Sequence, residues 1–178
     1  MKMAQLVMKR PPGAPPLPAA SPIAIREATI ADAEHLTDLL GAAFPELEWD
    51  VARVHKDLFD PPDVPVTYVI EDAGKLVATA SVRYHERFPE SGYVHWVGVD
   101  PSSRGRQLGT VVMAAVMRRF AADGRNSSIL ETDDVRLPAL ASYLGQGFIP
   151  HYTEADHEDR WSAVFTQLAA ARRAMKDR

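Results

Sequence analysis

The sequence contains no cysteine among its 178 residues. Disulfides, thiolate metal sites and a cysteine nucleophile are therefore excluded. The sequence also lacks an apolar run of the roughly 18 residues that a membrane span needs. Prolines interrupt the N-terminal stretch where a secretory signal would need an apolar core. These absences are compatible with a reducing compartment, and we expect a cytoplasmic protein without a membrane partner.

Basic residues are scarce in the middle of the chain. The net charge of the chain is −4. Residues 23–171 carry a larger negative charge, because seven of the 20 basic residues lie outside them. Such a body repels a phosphate backbone, so we expect no nucleic-acid partner. A solvated acidic face explains the same excess without any function, and a preference for cationic small molecules is the alternative.

Prolines are concentrated near the N-terminus. Of the 14 prolines, six lie between residues 11 and 22. Proline lacks an amide donor and favours extended conformations in its neighbours. We therefore predict a flexible proline-rich tail over residues 1–22 and a single domain over residues 23–178.

The domain alternates between strand-like and helix-like patterns, which predicts the α/β class with a mixed sheet. The predicted strands cover residues 23–26, 66–71, 76–84, 93–99, 128–132, a segment from 147 and 160–165. The predicted helices cover residues 29–43, 47–58, 108–123, 138–146 and the chain from 166 onward. The sequence Asp72-Ala73-Gly74-Lys75 predicts a tight hairpin turn.

The most informative segment runs from residue 97 to residue 110. A predicted strand ends at Val99 and a helix begins at about Leu108. A helix N-terminus offers unpaired amides to an anion, and Gly105 and Gly109 allow close approach of the backbone. The segment is neither a Walker loop nor a G-x-G-x-x-G fingerprint. A diphosphate site is one interpretation, and a strand–turn–helix with glycines for tight turning is the other.

Two motifs in this chain resemble those of the GNAT superfamily of acyl-CoA-dependent N-acyltransferases. Arg104-Gly105-Arg106-Gln107-Leu108-Gly109 resembles that family's (Gln/Arg)-x-x-Gly-x-(Gly/Ala) signature, and Tyr143-Leu144-Gly145-Gln146-Gly147-Phe148 resembles its Tyr-x-x-x-Gly-Phe. The element order from 23 to about 165 also fits. The resemblance implies a central, mostly antiparallel sheet of six to seven strands flanked by helices.

The resemblance also implies acetyl-CoA as co-substrate, direct transfer to an amine and no metal. Backbone groups of a strand end would bind the pantetheine arm, and backbone amides of the following loop would bind the pyrophosphate. In this chain these residues are Val97, Gly98 and Val99 for the arm, and Arg104, Gly105, Arg106, Gln107, Leu108, Gly109 and Thr110 for the pyrophosphate.

The resemblance places a general acid at Tyr143, which would protonate the departing thiolate; packing of the short helix is the alternative role. His95 is the candidate general base, since its intrinsic pKa lies near 6.5. Strand alternation predicts Tyr93, His95 and Val97 on one face and Val94, Trp96 and Gly98 on the other. Acidic alternatives to His95 follow the next predicted strand: Glu131, Asp133 and Asp134.

The chain departs from the family pattern at two positions. Gln107 stands where glycine is usual, and a positive φ there would cost roughly 1 kcal/mol. Arg136 stands where many members carry asparagine, and it would reach a coenzyme phosphate, reach the acceptor or cap the helix. The family contacts its acceptor near Phe44–Asp50, where aromatic and acidic residues favour an amine.

We therefore expect an N-acetyltransferase that acts on a primary amine of a small molecule. A protein-lysine or N-terminal acetyltransferase shares the chemistry, and a non-catalytic acyl-CoA-binding regulatory domain is the alternative outside catalysis. A homodimer is compatible with this fold by analogy only.

Overall fold

The computed structural model describes residues 5–13 and 23–176. The chain divides into two compact units, residues 16–128 and residues 1–15 with 129–178. Seven strands and five α-helices occur among the described residues. The predicted α/β class is confirmed.

The unit of residues 16–128 contains four antiparallel strands in their sequence order. These are β2 (Ile25–Glu27), β3 (Val66–Asp72), β4 (Lys75–Arg83) and β5 (Ser91–Val99). The predicted hairpin joins β3 to β4 through Ala73 and Gly74, which have φ values of 51° and 78°. Two successive positive φ values are typical of the type I′ turn that suits the twist of paired strands.

Helices cover both faces of these strands. They are α1 (Ala33–Ala43), the short α2 (Val51–Val54), which continues into a π-helical turn at His55–Phe59, and α3 (Leu108–Ala122). Gly92 of β5 allows α3 to pack closely, since a β-carbon there would lie 2.3 Å from the Phe120 ring. A β-carbon on Gly98 would instead meet Leu40 and Ala43 of α1 at 3.4 Å. The two helices therefore lie on opposite faces of β5.

The second unit contains three strands and two helices. The strands are β1 (Leu6–Arg10), β6 (Ser127–Thr132), which begins at the end of the first unit, and β7 (Ile149–His151). They follow the order β6-β1-β7, and β1 pairs with β7 in antiparallel register. The helices are α4 (Leu137–Gly145) and α5 (His157–Lys176).

Strand β1 lies within the segment that the sequence predicted as a flexible tail. Leu6, Val7 and Met8 are buried, and Val7 lies opposite His151 in β7. Burial stabilises the apolar side chains, and the backbone of β1 pairs with β7. The high proline content of the segment indicates neither. Four of the six clustered prolines lie outside the described residues, and the domain boundary at residue 22 stays a prediction.

The predicted strand over residues 160–165 is wrong, because this segment is helical. His157, Trp161 and Val164 are all buried on α5. Their spacing of four and three residues places them on one face of a helix. The aromatic residues Trp161 and Phe165 favoured a strand locally, but packing of this face decides the structure.

No helix in the described part of the chain is long and apolar enough to cross a membrane.

Candidate functional site

The loop between β5 and α3, residues 104–110, presents a row of free backbone donors; we call it the glycine loop. Among the described residues, no group accepts a hydrogen bond from the six amides of Gly105 to Thr110. The first intrahelical partner appears at Val111, whose amide donates to the Gln107 carbonyl at 3.1 Å. Unpaired amides at the start of a 15-residue helix form a site for an anion.

Asp100 braces the chain just before the glycine loop. Its buried carboxylate accepts from the backbone amide of Ser102 at 2.8 Å and from the Ser102 hydroxyl at 2.5 Å. Lys75 Nζ donates to the other carboxylate oxygen at 2.5 Å. These hydrogen bonds lower the pKa of Asp100 to about 2, with Lys75 the largest contributor. No sequence motif indicates this interaction, because Lys75 and Asp100 lie 25 residues apart.

Gln107 adopts the left-handed conformation in which strain is expected for a residue other than glycine. Its φ is 58° and its ψ is 21°, at the residue that precedes α3. Gly105 also has a positive φ, of 82°, with nothing within 4 Å of a hypothetical β-carbon. The loop therefore turns into the helix through two left-handed residues, of which only one is glycine.

A β-bulge in β5 overturns the predicted alternation of side chains. The register pairs Ser81 with His95 but Thr79 with Gly98, so one residue of β4 lies opposite two of β5. Trp96 in this bulge has a φ of 45°. The His95 and Trp96 rings consequently lie 5.6 Å apart, instead of on opposite faces. A bulge of this kind re-aims a side chain, which regular alternation cannot predict.

His95 is largely buried, and this sets its protonation. Its pKa is lowered to about 4, mainly by burial and also by the charge of Arg83, against the opposing effect of a hydrogen bond with the Asp57 backbone. The imidazole is therefore neutral at pH 7 and keeps a lone pair that can accept a proton.

Four side chains form a cluster on the α1 side of β5: Phe44, Trp49, Arg53 and Trp96, which we call the tryptophan cluster. Trp96 makes edge-to-face contacts with Phe44 at 5.3 Å and with Trp49 at 4.8 Å between ring centroids. The Arg53 guanidinium lies 4.3 Å from the Trp49 ring centroid and 5.5 Å from that of Trp96. The family resemblance implies that Phe44 and Trp49 lie near the acceptor, whereas no local pattern indicates that Arg53 and Trp96 join them.

Tyr143 lies on α4 in the second unit, and its ring centroid is 6.1 Å from that of Phe148. Burial raises the pKa of Tyr143 to about 12, against a smaller opposing effect of the Arg136 charge. The phenol is therefore protonated throughout the physiological pH range. Both aromatic residues of the Tyr-x-x-x-Gly-Phe motif thus share one local packing arrangement.

Two of the three alternative bases, Asp133 and Asp134, are engaged with cations near the end of β6. Asp134 accepts from Arg160 at 2.5 and 2.9 Å, which lowers the pKa of Asp134. Asp133 accepts from Arg136 at 3.1 Å. Arg136 is the N-cap residue of α4, and its carbonyl accepts from the Leu140 amide. Its side chain makes no capping hydrogen bond to α4, and the three roles predicted for Arg136 stay predictions.

Among residues 5–13 and 23–176, no cluster of three or more metal-ligating side chains occurs.

Comparison with known proteins supports one family. Residues 31–148 match the model of the acetyltransferase (GNAT) family. A mycothiol acetyltransferase of Amycolatopsis mediterranei is 30% identical over 96 residues, which are 51% of this chain and 32% of the relative. The mycothiol acetyltransferase of Gordonia bronchialis is 31% identical over 96 residues, or 54% of this chain and 30% of the relative. The chain thus spans about a third of these curated relatives.

Solved structures show the same fold. A GNAT-family acetyltransferase from Novosphingobium aromaticivorans has a TM-score of 0.63 and 21% identity, covering 84% of this chain and 61% of that one. Glucosamine-6-phosphate N-acetyltransferase from Arabidopsis thaliana has a TM-score of 0.59 and 25% identity, covering 75% of this chain and 96% of that one. The predicted fold is confirmed by both.

Proposed function

The chain belongs to the GNAT acetyltransferase family, and on that basis we propose that it transfers an acetyl group from acetyl-CoA to a primary amine of a small molecule. The relatives that are named for mycothiol and for glucosamine 6-phosphate support a small amine-bearing acceptor. Enzymes that acetylate protein lysines or N-termini share this chemistry and this fold, and they are the alternative to a small-molecule acetyltransferase.

The observation that carries the proposal is the row of six amides without acceptors in the glycine loop. A diphosphate offers several anionic oxygens to such a row, and the dipole of α3 favours their charge. The open space beside Gly105 fits a phosphate that approaches the backbone closely. The residues present therefore suit the coenzyme pyrophosphate, and Val97, Gly98 and Val99 would bind the pantetheine arm through their backbone.

Acetyl-CoA would supply an activated thioester, so that a C–N bond forms, the C–S bond breaks and coenzyme A leaves as a thiol. Tyr143 would donate the proton that this thiol needs. A phenol with a pKa of about 12 is protonated at pH 7, so its proton is available when the thiolate departs. Positioned proton donors of this kind contribute about 10²–10⁴-fold to a rate.

The amine must be neutral to react. For an amine with a pKa near 10.4, deprotonation at pH 7 costs roughly 4.6 kcal/mol. Positioning against the thioester can offset roughly 7–11 kcal/mol, so orientation is the larger effect. His95 would accept the second proton, through water, as the nitrogen becomes more acidic during C–N bond formation. The imidazole is neutral at pH 7 and has a lone pair for this proton, but a pKa of about 4 makes it a weak base.

Ligand binding tests the assignment of the glycine loop. We expect acetyl-CoA to raise the melting temperature, while ATP and NADH do not. Thr110→Pro removes one donor amide from the first turn of α3, where proline is tolerated. Because a hydrogen bond to a charged group contributes about 1.5–3 kcal/mol, acetyl-CoA should bind roughly 10- to 100-fold more weakly.

Thr110→Ala is the matched control, because it removes the same side chain and keeps the amide. Its affinity for acetyl-CoA should stay near that of the parent. Equal stabilisation by ATP, or equal weakening by both variants, would contradict the assignment of the backbone amides to the coenzyme.

A further inference from the structure

A hydrogen bond joins the candidate base to the π-helical turn at His55–Phe59. The imidazole of His95 bonds to the backbone of Asp57, and this bond raises the pKa of His95 against the larger effect of burial. A carbonyl that accepts from an imidazole N–H favours the charged ring, whereas a backbone amide that donates to the ring disfavours it. The Asp57 carbonyl is therefore the acceptor, and one ring nitrogen of His95 carries the proton that it binds.

Two prolines explain why this carbonyl is available. In an α-helix the carbonyl of Asp57 would accept from the amide of residue 61, and in a continued π-helix from that of residue 62. Pro61 and Pro62 occupy both positions, and proline has no amide hydrogen. The Asp60 amide, the last one before them, donates to the His55 carbonyl at 2.9 Å. Along this described stretch, no helical amide competes with the imidazole for the carbonyl.

Proline also accounts for the π-helical turn itself. If α2 continued as an α-helix, the ring of Pro61 would clash with the Asp57 carbonyl four residues earlier. The chain instead widens, and the His55 carbonyl accepts from the amide of Asp60, five residues later. Such π-helical turns are frequent at functional sites. One residue therefore ends the helix and removes a donor from its last turn.

Three charged or titratable side chains lie near His95: Arg83 at the end of β4, His85 just after it, and Asp63 before β3. Each affects the pKa of His95 through its charge. Arg83 Nε donates to Asp63 at 2.7 Å, so these two charges oppose each other at the imidazole. Among these neighbours, the Asp57 carbonyl is the one that forms a hydrogen bond with the ring.

We propose that Pro61 and Pro62 are positioning residues for His95, because they leave the Asp57 carbonyl to its imidazole and so fix one neutral tautomer. The hydrogen-bonded nitrogen keeps its proton, and the lone pair of the other nitrogen accepts a proton from the amine, through water. The hydrogen bond that one nitrogen of a histidine makes determines which nitrogen reacts. This inference rests on the proposed acetyltransferase function and adds two residues that act through His95.

Pro61→Ala and Pro62→Ala test the inference, since each gives the chain an amide that can donate to the Asp57 carbonyl. Proton–nitrogen correlation spectra of the isotope-labelled full chain distinguish the two neutral tautomers of His95, and His95→Gln assigns the signals. We expect one tautomer to predominate in the parent. Its ratio to the other should fall about 2- to 10-fold in the variants, which corresponds to one hydrogen bond.

Turnover gives a second measurement in the same variants. The value of kcat for amine transfer should fall as the population of the reactive tautomer falls, because only that form has its lone pair on the nitrogen that accepts the proton. The KM for acetyl-CoA should stay unchanged, since neither proline belongs to the glycine loop.

Pro65→Ala is the matched control. Pro65 is exposed in the same connection, and an amide there lies beyond the reach of an α- or π-helical hydrogen bond to Asp57. Its loss frees the unfolded chain to a similar extent, so an effect of flexibility alone would appear in this variant too. Asp57→Asn changes the side chain that accepts from Arg53 but keeps the carbonyl, and it should retain the tautomer ratio of the parent.

The outcomes separate this inference from the proposed function. A tautomer ratio that is unchanged in both Pro61→Ala and Pro62→Ala, or that changes equally in Pro65→Ala, would overturn the inference. A value of kcat that does not follow the tautomer population would also overturn it. Absence of thiol release in the parent, together with the expected tautomer shift in the variants, would instead contradict the proposed function and support the positioning of His95 by the prolines.

Discussion

The glycine loop and the tryptophan cluster follow each other closely along the chain, since Trp96 lies eight residues before Arg104. They are built in different ways. The loop offers backbone amides from consecutive residues, so a short run of sequence encodes the whole site. The cluster combines side chains from the end of α1, the start of α2 and a bulged strand. Its members become neighbours only after folding, and no local motif describes them.

This difference indicates where specificity can change. Substitutions in the tryptophan cluster change side chains near the predicted acceptor region without removing a strand or helix. The glycine loop tolerates less variation, because its backbone conformation is itself the binding surface. Coenzyme binding is therefore expected to be the fixed property of this chain, and acceptor choice the adjustable one.

Tyr143→Phe gives the largest expected effect. It tests whether a residue that a local motif predicts takes part in catalysis. It removes the phenol proton and preserves the ring that packs against Phe148. We expect acetyl-CoA affinity to stay within about twofold, while kcat for amine transfer falls about 100-fold. Thermal shift and thiol release measure the two quantities separately.

An unchanged kcat would remove Tyr143 from the proton-transfer step. Absence of turnover in the parent, with acetyl-CoA still bound, would favour the non-catalytic binding domain. Phe148→Leu is a useful control, because it disturbs the same packing without touching the phenol.

Asp100→Asn tests whether the glycine loop needs its buried brace. The pKa of Asp100 is lowered to about 2 from 3.8, which corresponds to about 2 kcal/mol of stability at pH 7. A carboxylate with a lowered folded-state pKa stabilises above its unfolded pKa and loses that contribution as pH falls. The variant should therefore unfold more easily at pH 7, and the difference should shrink between about pH 4 and pH 2.

Urea denaturation across that pH range measures the effect. Asp72→Asn is the matched control, since Asp72 pairs with Arg106 at 2.6 Å but both side chains are about half exposed. Exposed ion pairs contribute about 0–1 kcal/mol, so this variant should lose much less unfolding free energy than Asp100→Asn. Equal losses in the two variants would show that Asp100 has no special role.

Regular elements near the glycine loop could be predicted from the sequence because their signals are local. The helix predicted over residues 108–123 is α3, at Leu108–Ala122. The turn at Asp72–Lys75 and the strand before Asp100 follow equally local patterns of turn residues and β-branched side chains. The positive φ of Gln107 was foreseen as a condition for strain, because the compared position is glycine in the family.

Features that depend on distant partners could not be predicted. Strand β1 forms because it pairs with β7, more than 130 residues later, and its apolar residues alone do not reveal this. The bulge at Trp96 depends on the register with β4. Helix α5 replaced a predicted strand because its buried face, including Trp161, is defined by tertiary packing. The pKa of His95 likewise follows from burial, which its sequence position does not show.

Gln107→Gly gives the smallest expected effect and compares strain in the two regions. Both contain a residue other than glycine with a positive φ, namely Gln107 and Trp96. Gln107 is exposed, so glycine there relieves the left-handed strain at the cost of greater freedom in the unfolded chain. We expect a net gain of about 0.5 kcal/mol in unfolding free energy, with acetyl-CoA affinity unchanged.

Gln107→Ala is the control, because alanine keeps the β-carbon that makes a positive φ unfavourable. It should show no gain. Trp96→Gly should behave in the opposite way from Gln107→Gly, since relief of the same strain removes a ring that packs against Phe44 and Trp49. A gain in stability at both positions would mean that packing does not stabilise the bulge. Local sequence would then determine the backbone conformation of the tryptophan cluster, as it does in the glycine loop.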